Sequence, residues 1–183
     1  MKRIIVILLC FLIGIIISAC NRKKSELERL VLAFSKETIT IPDGLVCVFD
    51  GVIGSAEIRK DLPKMIYWFD STQCSMCNAK RLNALDSLYV MSEETTPFDI
   101  MLVFSPEIKE AGKILETMSF YDLAHPVLVD MDQSFLRLNP AMEDYPFFHR
   151  FYVDKKGHPK FVGDPLSSDI MRELFKKVIR REE

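Results

Sequence analysis

The stretch from Lys64 to Leu88 constrains the fold most, because it joins a strand pattern to a helix pattern across a pair of cysteines. Met65–Phe69 is an apolar run of strand length without helical period. After Asn78, leucine and tyrosine side chains recur at a spacing that places them on one face of a helix. Cys74 and Cys77 therefore lie where a strand passes into a helix.

This position favours redox chemistry at the two cysteines. A thiol at a helix N-terminus faces unpaired backbone N–H groups and the positive end of the helix dipole, and both favour the thiolate. Two intervening residues place the second sulfur within bonding reach of the first. We predict that Cys74 is the attacking thiol and that Cys77 resolves the mixed disulfide.

Other uses of a cysteine pair fit the sequence less well. A zinc site needs two more ligands, but there is no second cysteine pair and the three histidines lack ligand spacing. Covalent haem attachment needs a histidine directly after Cys77, where Asn78 stands. We therefore expect no metal and no cofactor. A purely structural disulfide remains the main alternative, since an exported protein could oxidise the pair and never use it.

The N-terminus predicts export. Lys2 and Arg3 precede an apolar run over residues 4–17, which is short for a membrane span, and small residues follow before Cys20. Residues 17–20 resemble the lipobox of bacterial lipoproteins. That resemblance implies that residues 1–19 are a signal peptide and that lipid is attached to Cys20. An uncleaved anchor helix is the alternative, and in both cases the rest of the chain is exported and held at a membrane.

The remaining chain has the size of one domain. Removing the first 19 of 183 residues leaves 164, with 22 basic and 26 acidic residues and a formal charge of −4. No basic face stands out, so nucleic acid is not expected as a partner. Cys47 lies in an apolar strand-like run and is interpreted as a small buried residue, with a regulatory thiol as the alternative.

Residues 20–24 are interpreted as a lipidated tether and residues 25–63 as an N-terminal elaboration. Ser25 begins a helix through a capping-box pattern with Glu28. Residues 38–41 and 45–49 are predicted to form a hairpin around a Pro-Asp-Gly turn, and residues 51–63 a surface connection.

Residues 64–183 are predicted to form an α/β domain. The redox strand and helix are followed by an apolar strand over residues 98–104 and by a helix that Ser105 and Pro106 begin. A short strand over residues 126–129, a hairpin over residues 148–162 and a helix capped by Ser167 or Ser168 complete it. In that last helix, Ile170, Leu174, Phe175 and Val178 are predicted to point inward. Alternating strands and helices predict a central mixed sheet with flanking helices.

Two segments carry a family resemblance, which covers residues 64 to about 179. The run from Phe69 to Cys77 resembles the Phe-Trp-Ala-x-Trp-Cys-x-x-Cys segment of the thioredoxin superfamily, and the run from Phe151 to Gly157 resembles its Phe-Leu-Ile-Asp-x-x-Gly hairpin. The chain is most similar to the TlpA-like, membrane-tethered branch, and residues 162–165 resemble thioredoxin-like lipoproteins of Bacteroides-type bacteria. The resemblance implies a thioredoxin-like fold with Cys74 and Cys77 as its redox pair.

The chain departs from that family beside the cysteines. Asp70 and Gln73 replace aromatic residues, and a carboxylate near Cys74 opposes thiolate formation. The cis-proline that faces the redox pair in the family counts to Phe148, whereas the nearest proline is Pro146. Either a bulge restores that proline or it is absent. We therefore assign Pro146, Phe148 and Gln73 as candidate substrate-groove residues.

The predicted function is an envelope thiol-disulfide oxidoreductase. The family resemblance favours reduction of disulfides in exported proteins, with electrons from a membrane thiol donor. Asn21, rather than an aspartate, follows Cys20, and in this the sequence resembles lipoproteins of the outer membrane that face the periplasm. The alternative is a non-catalytic binding lipoprotein of the same fold whose disulfide is structural. A peroxidase of the peroxiredoxin kind is a second alternative, but the sequence around Cys74 lacks the pattern of that family.

Overall fold

The apolar strand before the cysteine pair lies near the centre of a seven-stranded sheet. The computed structural model describes residues 26–73, 82–145 and 147–181. Residues from Glu37 onward form one compact unit, and the helix over residues 26–34, here α1, belongs to a separate unit that ends at Lys36. Ser25 lies outside the described residues.

The sheet is mixed and has the order β2-β1-β5-β4-β3-β6-β7. β3, β4 and β5 are parallel, and the other neighbouring pairs are antiparallel. The strands are β1 Val46–Phe49, β2 Val52–Ser55, β3 Lys64–Phe69, β4 Asp99–Phe104, β5 Val127–Val129, β6 Arg150–Val153 and β7 Pro159–Val162. We call the side where β3, β4 and β5 end the carboxyl edge, and the side where they begin the amino edge.

Helices flank this sheet. They are α2 Asp86–Glu94, α3 Ile108–Ser119, α4 Ser134–Leu138 and α5 Asp169–Ile179, with 3-10 turns at Leu82–Leu85 and Pro140–Asp144. The predicted α/β architecture, a central mixed sheet with flanking helices, is confirmed. No helix in the described ranges is long and apolar enough to cross a membrane.

Packing on both faces of the sheet explains the composition of β3, all six residues of which are buried. Met65 and Tyr67 belong to the same core cluster as Phe175 of α5. On the opposite face, the Trp68 ring lies 5.5 Å from that of Phe135 in α4. Because both faces of the strand are covered, the five residues after Lys64 are all apolar or aromatic, whereas the buried Lys64 ammonium donates to the carbonyls of Arg59 and Leu62.

The N-terminal hairpin exists, but its predicted position was wrong. β1 pairs with β2, and Asp50 and Gly51 join them with φ of 50° and 72°, the geometry of a type I′ turn. Residues 38–42 form no strand. Thr40 is instead held by the Asn139 side chain, which accepts from its N–H at 2.7 Å and donates to its carbonyl at 2.8 Å.

The predicted start of α3 was also wrong. The helix begins at Ile108, and the preceding Glu107 makes no capping hydrogen bond through its side chain. Ser105 is buried between strands, where its hydroxyl bonds to Trp68 and Asp130. Because the Ser105 hydroxyl forms hydrogen bonds with these long-range partners, it does not cap the helix.

The last helix was predicted correctly at its start and partly at its buried face. The Ser168 hydroxyl accepts from the N–H of Met171 at 3.2 Å, which confirms the cap. Phe175 is fully buried, but Ile170 and Leu174 are 74% and 46% exposed, so these two do not point inward as predicted.

Candidate active site at the carboxyl edge

The predicted redox pair, Cys74 and Cys77, lies outside the described residues, as do Cys20 and Pro146. The chain is described up to Gln73 and again from Leu82. β3 ends at Phe69, so the segment that leads to Cys74 leaves the sheet at the carboxyl edge.

Asp70 orders the turn that leads to the cysteine pair. Its Oδ1 accepts from the backbone N–H of Thr72 at 2.9 Å and from the Thr72 hydroxyl at 2.6 Å. The N–H of Gln73 donates to the carbonyl of Asp70 at 3.2 Å. One carboxylate oxygen is therefore used to hold the turn.

A cleft of about 380 Å³ opens at the carboxyl edge. It is formed by the end of β3, the turn after it, the start of β6 and the segment after β7. Its lining residues are Trp68, Phe69, Gln73, Phe147, His149, Arg150, Gly163 and Asp164. Gln73, which immediately precedes Cys74 in the chain, thus contributes to a cleft with apolar, aromatic and charged walls.

His149 is one of the cleft residues that sequence reasoning missed, since it was considered only as a zinc ligand. Its ring lies 5.4 Å from that of Trp68, and its carbonyl accepts the Trp68 backbone N–H at 2.8 Å. Its Nδ1 is buried, lacks a hydrogen-bond partner among the described residues and lies 3.8 Å from Oδ2 of Asp70. The available signal was its place in the chain. His149 directly follows Phe148, the position at which the family pattern puts the residue that faces the redox pair.

Charged and polar groups form another wall of the cleft. The Tyr67 hydroxyl donates to Oδ1 of Asp164 at 2.8 Å, and Nη1 of Arg150 lies 3.2 Å from Oδ2. The Arg150 guanidinium also lies 5.5 Å from the centre of the Tyr67 ring. Burial, and then the charge of Asp164, raises the pKa of Tyr67, so its hydroxyl remains a donor at neutral pH.

A buried hydrogen-bond network supports the floor of the cleft. Nε1 of Trp68 donates to the Ser105 hydroxyl at 3.0 Å, which donates to Oδ2 of Asp130 at 3.0 Å. Asp130 has no exposed surface and also accepts from the N–H groups of Ser134 and Phe135 at 2.8 and 2.9 Å. The network links β3 to the carboxyl ends of β4 and β5 and fixes the Trp68 indole.

The predicted groove residues have different environments. Gln73 lines the cleft. Phe148 is 5% exposed, and its ring stacks on that of Tyr145 at 5.6 Å. Phe147, which was not predicted, is 85% exposed and lines the cleft, so an aromatic side chain is available at its mouth.

A larger cavity of about 740 Å³ lies near the amino edge, away from the cleft. Cys47 contributes to its wall, as do Tyr89 and the ion pair of Arg59 with Asp99. Burial raises the pKa of the Cys47 thiol, which keeps it protonated at neutral pH. Among the described residues, no group of three His, Cys, Asp or Glu side chains could hold a metal ion.

No protein-family model and no curated protein matches this sequence. Among solved structures, the chain is similar to an uncharacterized thioredoxin-like protein from Porphyromonas gingivalis, with 20% identity, a TM-score of 0.44 and coverage of 80% of this chain and 94% of that one. It is also similar to a proposed electron transfer protein from Aquifex aeolicus VF5, with 15% identity, a TM-score of 0.42 and coverage of 80% and 97%. The strand order and connections described above, rather than these matches, establish the fold.

Proposed function

We propose that this protein is a thiol-disulfide oxidoreductase of the cell envelope in which Cys74 attacks and Cys77 resolves. The observation that carries the proposal is the position of Gln73. β3 and the Asp70 turn bring this residue, which immediately precedes Cys74, into the cleft at the carboxyl edge. The cleft supplies a surface on which a substrate disulfide can bind.

The reaction moves two electrons from the chain to the substrate. The Cys74 thiolate attacks one sulfur of a substrate disulfide, forming a mixed disulfide and releasing the other substrate sulfur as a thiolate that takes a proton. The Cys77 thiol loses its proton and attacks Cys74, which releases the second substrate thiol. The chain is left with a Cys74–Cys77 disulfide, and a membrane thiol donor reduces it again.

The cleft favours a polypeptide substrate over a small thiol. Phe147 offers an exposed apolar contact at the mouth, and Arg150 and Asp164 offer opposite charges within one wall. An extended segment of an exported protein can use both kinds of contact. We propose that the protein works on such substrates while anchored through lipid at Cys20, facing the periplasm from the outer membrane.

The first experiment is the reduction potential of the Cys74–Cys77 pair. The mature chain in detergent is equilibrated with glutathione or dithiothreitol buffers, and its thiols are counted by alkylation. Trp68, the single tryptophan of the chain, gives an independent fluorescence signal from the cleft. We expect a potential between about −270 and −120 mV, the range of working oxidoreductases.

Two variants make this experiment decisive. Cys47→Ser should leave the potential unchanged, because Cys47 lines the other cavity. Cys77→Ser should accumulate mixed disulfides with exported proteins, because the attacking thiol then has no resolving partner. A potential well below about −300 mV, with no trapped protein, would instead identify a binding lipoprotein with a structural disulfide.

A further inference from the structure

The amino edge carries a group of exposed apolar side chains, three of them aromatic, which we call the aromatic tip. Phe49, Val52, Phe120 and Tyr121 are 42%, 68%, 81% and 38% exposed. Side chains of this size are costly to leave in water when they occur together. The aromatic tip lies on the opposite edge of the sheet from the proposed active-site cleft.

The fold brings the two parts of the aromatic tip together. Phe49 and Val52 are cross-strand partners on either side of the Asp50–Gly51 turn. A Cβ atom on Gly51 would lie 3.6 Å from the carbonyl oxygen of Ser119, so the turn packs against the end of α3. Phe120 and Tyr121 follow immediately. β1 runs past the start of β5, where Val48 pairs with Val127, which places the turn beyond the amino edge.

The chain also enters this unit on the amino edge. The N–H of Ile39 donates to the carbonyl of Gly157 at 2.9 Å, in the turn between β6 and β7. That turn lies on the amino edge, because Val153 at the end of β6 pairs with Lys64 at the start of β3. The apolar run over residues 4–17 and Cys20 precede this point in the sequence. A membrane attachment there is connected to this unit through the amino edge.

We propose that the aromatic tip docks into the interfacial region of the membrane that holds the N-terminus. Aromatic side chains are favoured at that depth, where an apolar ring is buried and polar groups remain hydrated. Attachment of the chain keeps the tip at high local concentration near the lipid, so a weak contact suffices. The exposed carboxylates of Asp50 and Asp122 flank the tip, so the preferred surface is zwitterionic rather than anionic.

This inference rests on the membrane anchoring of the N-terminus in the proposed function and does not depend on the redox chemistry. Docking would direct the cleft away from the lipid, because β3 has six residues and spans about 20 Å between the two edges. Substrates in the aqueous space would then have free access to the cleft. A membrane donor of electrons would have to reach it with a domain that projects from the bilayer.

The test uses the full mature chain, with its membrane anchor, in vesicles of zwitterionic phosphatidylethanolamine and phosphatidylcholine with brominated acyl chains, which quench tryptophan. In a Trp68→Phe background, Phe120→Trp places the reporter in the aromatic tip. Ile170→Trp is the matched control, because Ile170 is 74% exposed in the first turn of α5, at the carboxyl edge. We expect several-fold quenching of Phe120→Trp and none of Ile170→Trp. Anionic lipid should not increase the quenching.

Further variants separate docking from simple tethering. Phe49→Ser with Val52→Ser, added to the Phe120→Trp chain, should reduce the quenching several-fold, because the anchor is intact and only the tip has changed. Equal quenching of both reporters, or of neither, would overturn the proposal. A blue-shifted emission of Phe120→Trp that depends on protein concentration without vesicles would also overturn it, in favour of a second copy on this surface. If the Trp68→Phe background does not fold, the same comparison is made by difference from the native chain.

Discussion

Nδ1 of His149 lies 3.8 Å from Oδ2 of Asp70, on the segment that leads directly to Cys74. The distance is too long for a hydrogen bond. The other carboxylate oxygen holds the turn through Thr72, so the Asp70 side chain cannot move far from this position. A negative charge is therefore fixed four residues before the proposed nucleophile.

Replacing Asp70 with asparagine should make Cys74 more reactive. Loss of the carboxylate charge favours the thiolate, while the amide oxygen can still accept from Thr72. We expect alkylation of the reduced protein at pH 6–7 to become several-fold faster, and up to about ten-fold if the thiol pKa falls by one unit. The measurement is the rate of Cys74 alkylation as a function of pH. Asp132→Asn, which removes an exposed carboxylate paired with Arg137 on α4, should not change that rate.

Replacing Ser105 with alanine should destabilise the fold. The change leaves Nε1 of Trp68 without its hydrogen-bond acceptor and Asp130 without one donor, both in buried surroundings. The expected loss in the free energy of unfolding is about 1–3 kcal/mol, measured by urea denaturation. Ser119→Ala is the control, since that hydroxyl is exposed and bonds only within its own helix. Equal stability of the two variants would contradict the role of the network.

Local signals in the sequence were sufficient for the elements that depend on neighbours in the chain. β3 was predicted from its apolar run, the β6–β7 hairpin from its Asp-x-x-Gly turn, and the start of α5 from Ser168. The hairpin before β3 was misplaced because the backbone of Thr40 binds Asn139, 99 residues later. No local pattern reveals a partner at that separation.

The same reason limits prediction of the cleft. Gln73 was assigned from its place before Cys74, but His149 and Arg150 reach the cleft only because β6 pairs with β3. Asp164 reaches it because β7 pairs with β6 and returns the chain to the carboxyl edge. Strand order, rather than sequence distance, brings these side chains together, and the sequence alone did not specify it.

Asp154 should make stability depend on pH in the acid range. Burial opposes its ionised form, but hydrogen bonds from the N–H groups of His158 and Lys156, together with the Lys160 ammonium, lower the pKa of Asp154. A carboxyl group whose pKa is lowered in the folded state stabilises the fold when the pH is above the group's ordinary pKa of about 3.8. That stability is lost as the pH falls through the lower pKa of the folded state.

The measurement for Asp154 is the free energy of unfolding of the native chain and of Asp154→Asn from pH 7 to pH 3. We expect the native chain to be more stable at pH 6–7 and the difference to narrow below pH 4. Asp43→Asn removes a carboxylate that is 84% exposed and should show no such narrowing. A difference that stays constant with pH would mean that the charge of Asp154 does not contribute.

Gly157 should tolerate no side chain, because it combines a positive φ with a close backbone contact. Its φ is +87°, and a Cβ atom would overlap the carbonyl oxygen of Ile39, the residue that Gly157 holds at the amino edge. Gly157→Ala should lower the free energy of unfolding by at least about 2 kcal/mol, from backbone strain and loss of that contact. Gly112→Ala is the matched control, since Gly112 lies in α3 and its added Cβ would meet no atom within 4 Å beyond the adjacent residues and backbone of its own helix. That variant should gain about 0.5–1 kcal/mol, because alanine is favoured over glycine within a helix. If Gly157→Ala unfolds at the same urea concentration as the native chain, the contact with Ile39 does not hold the entering segment in place.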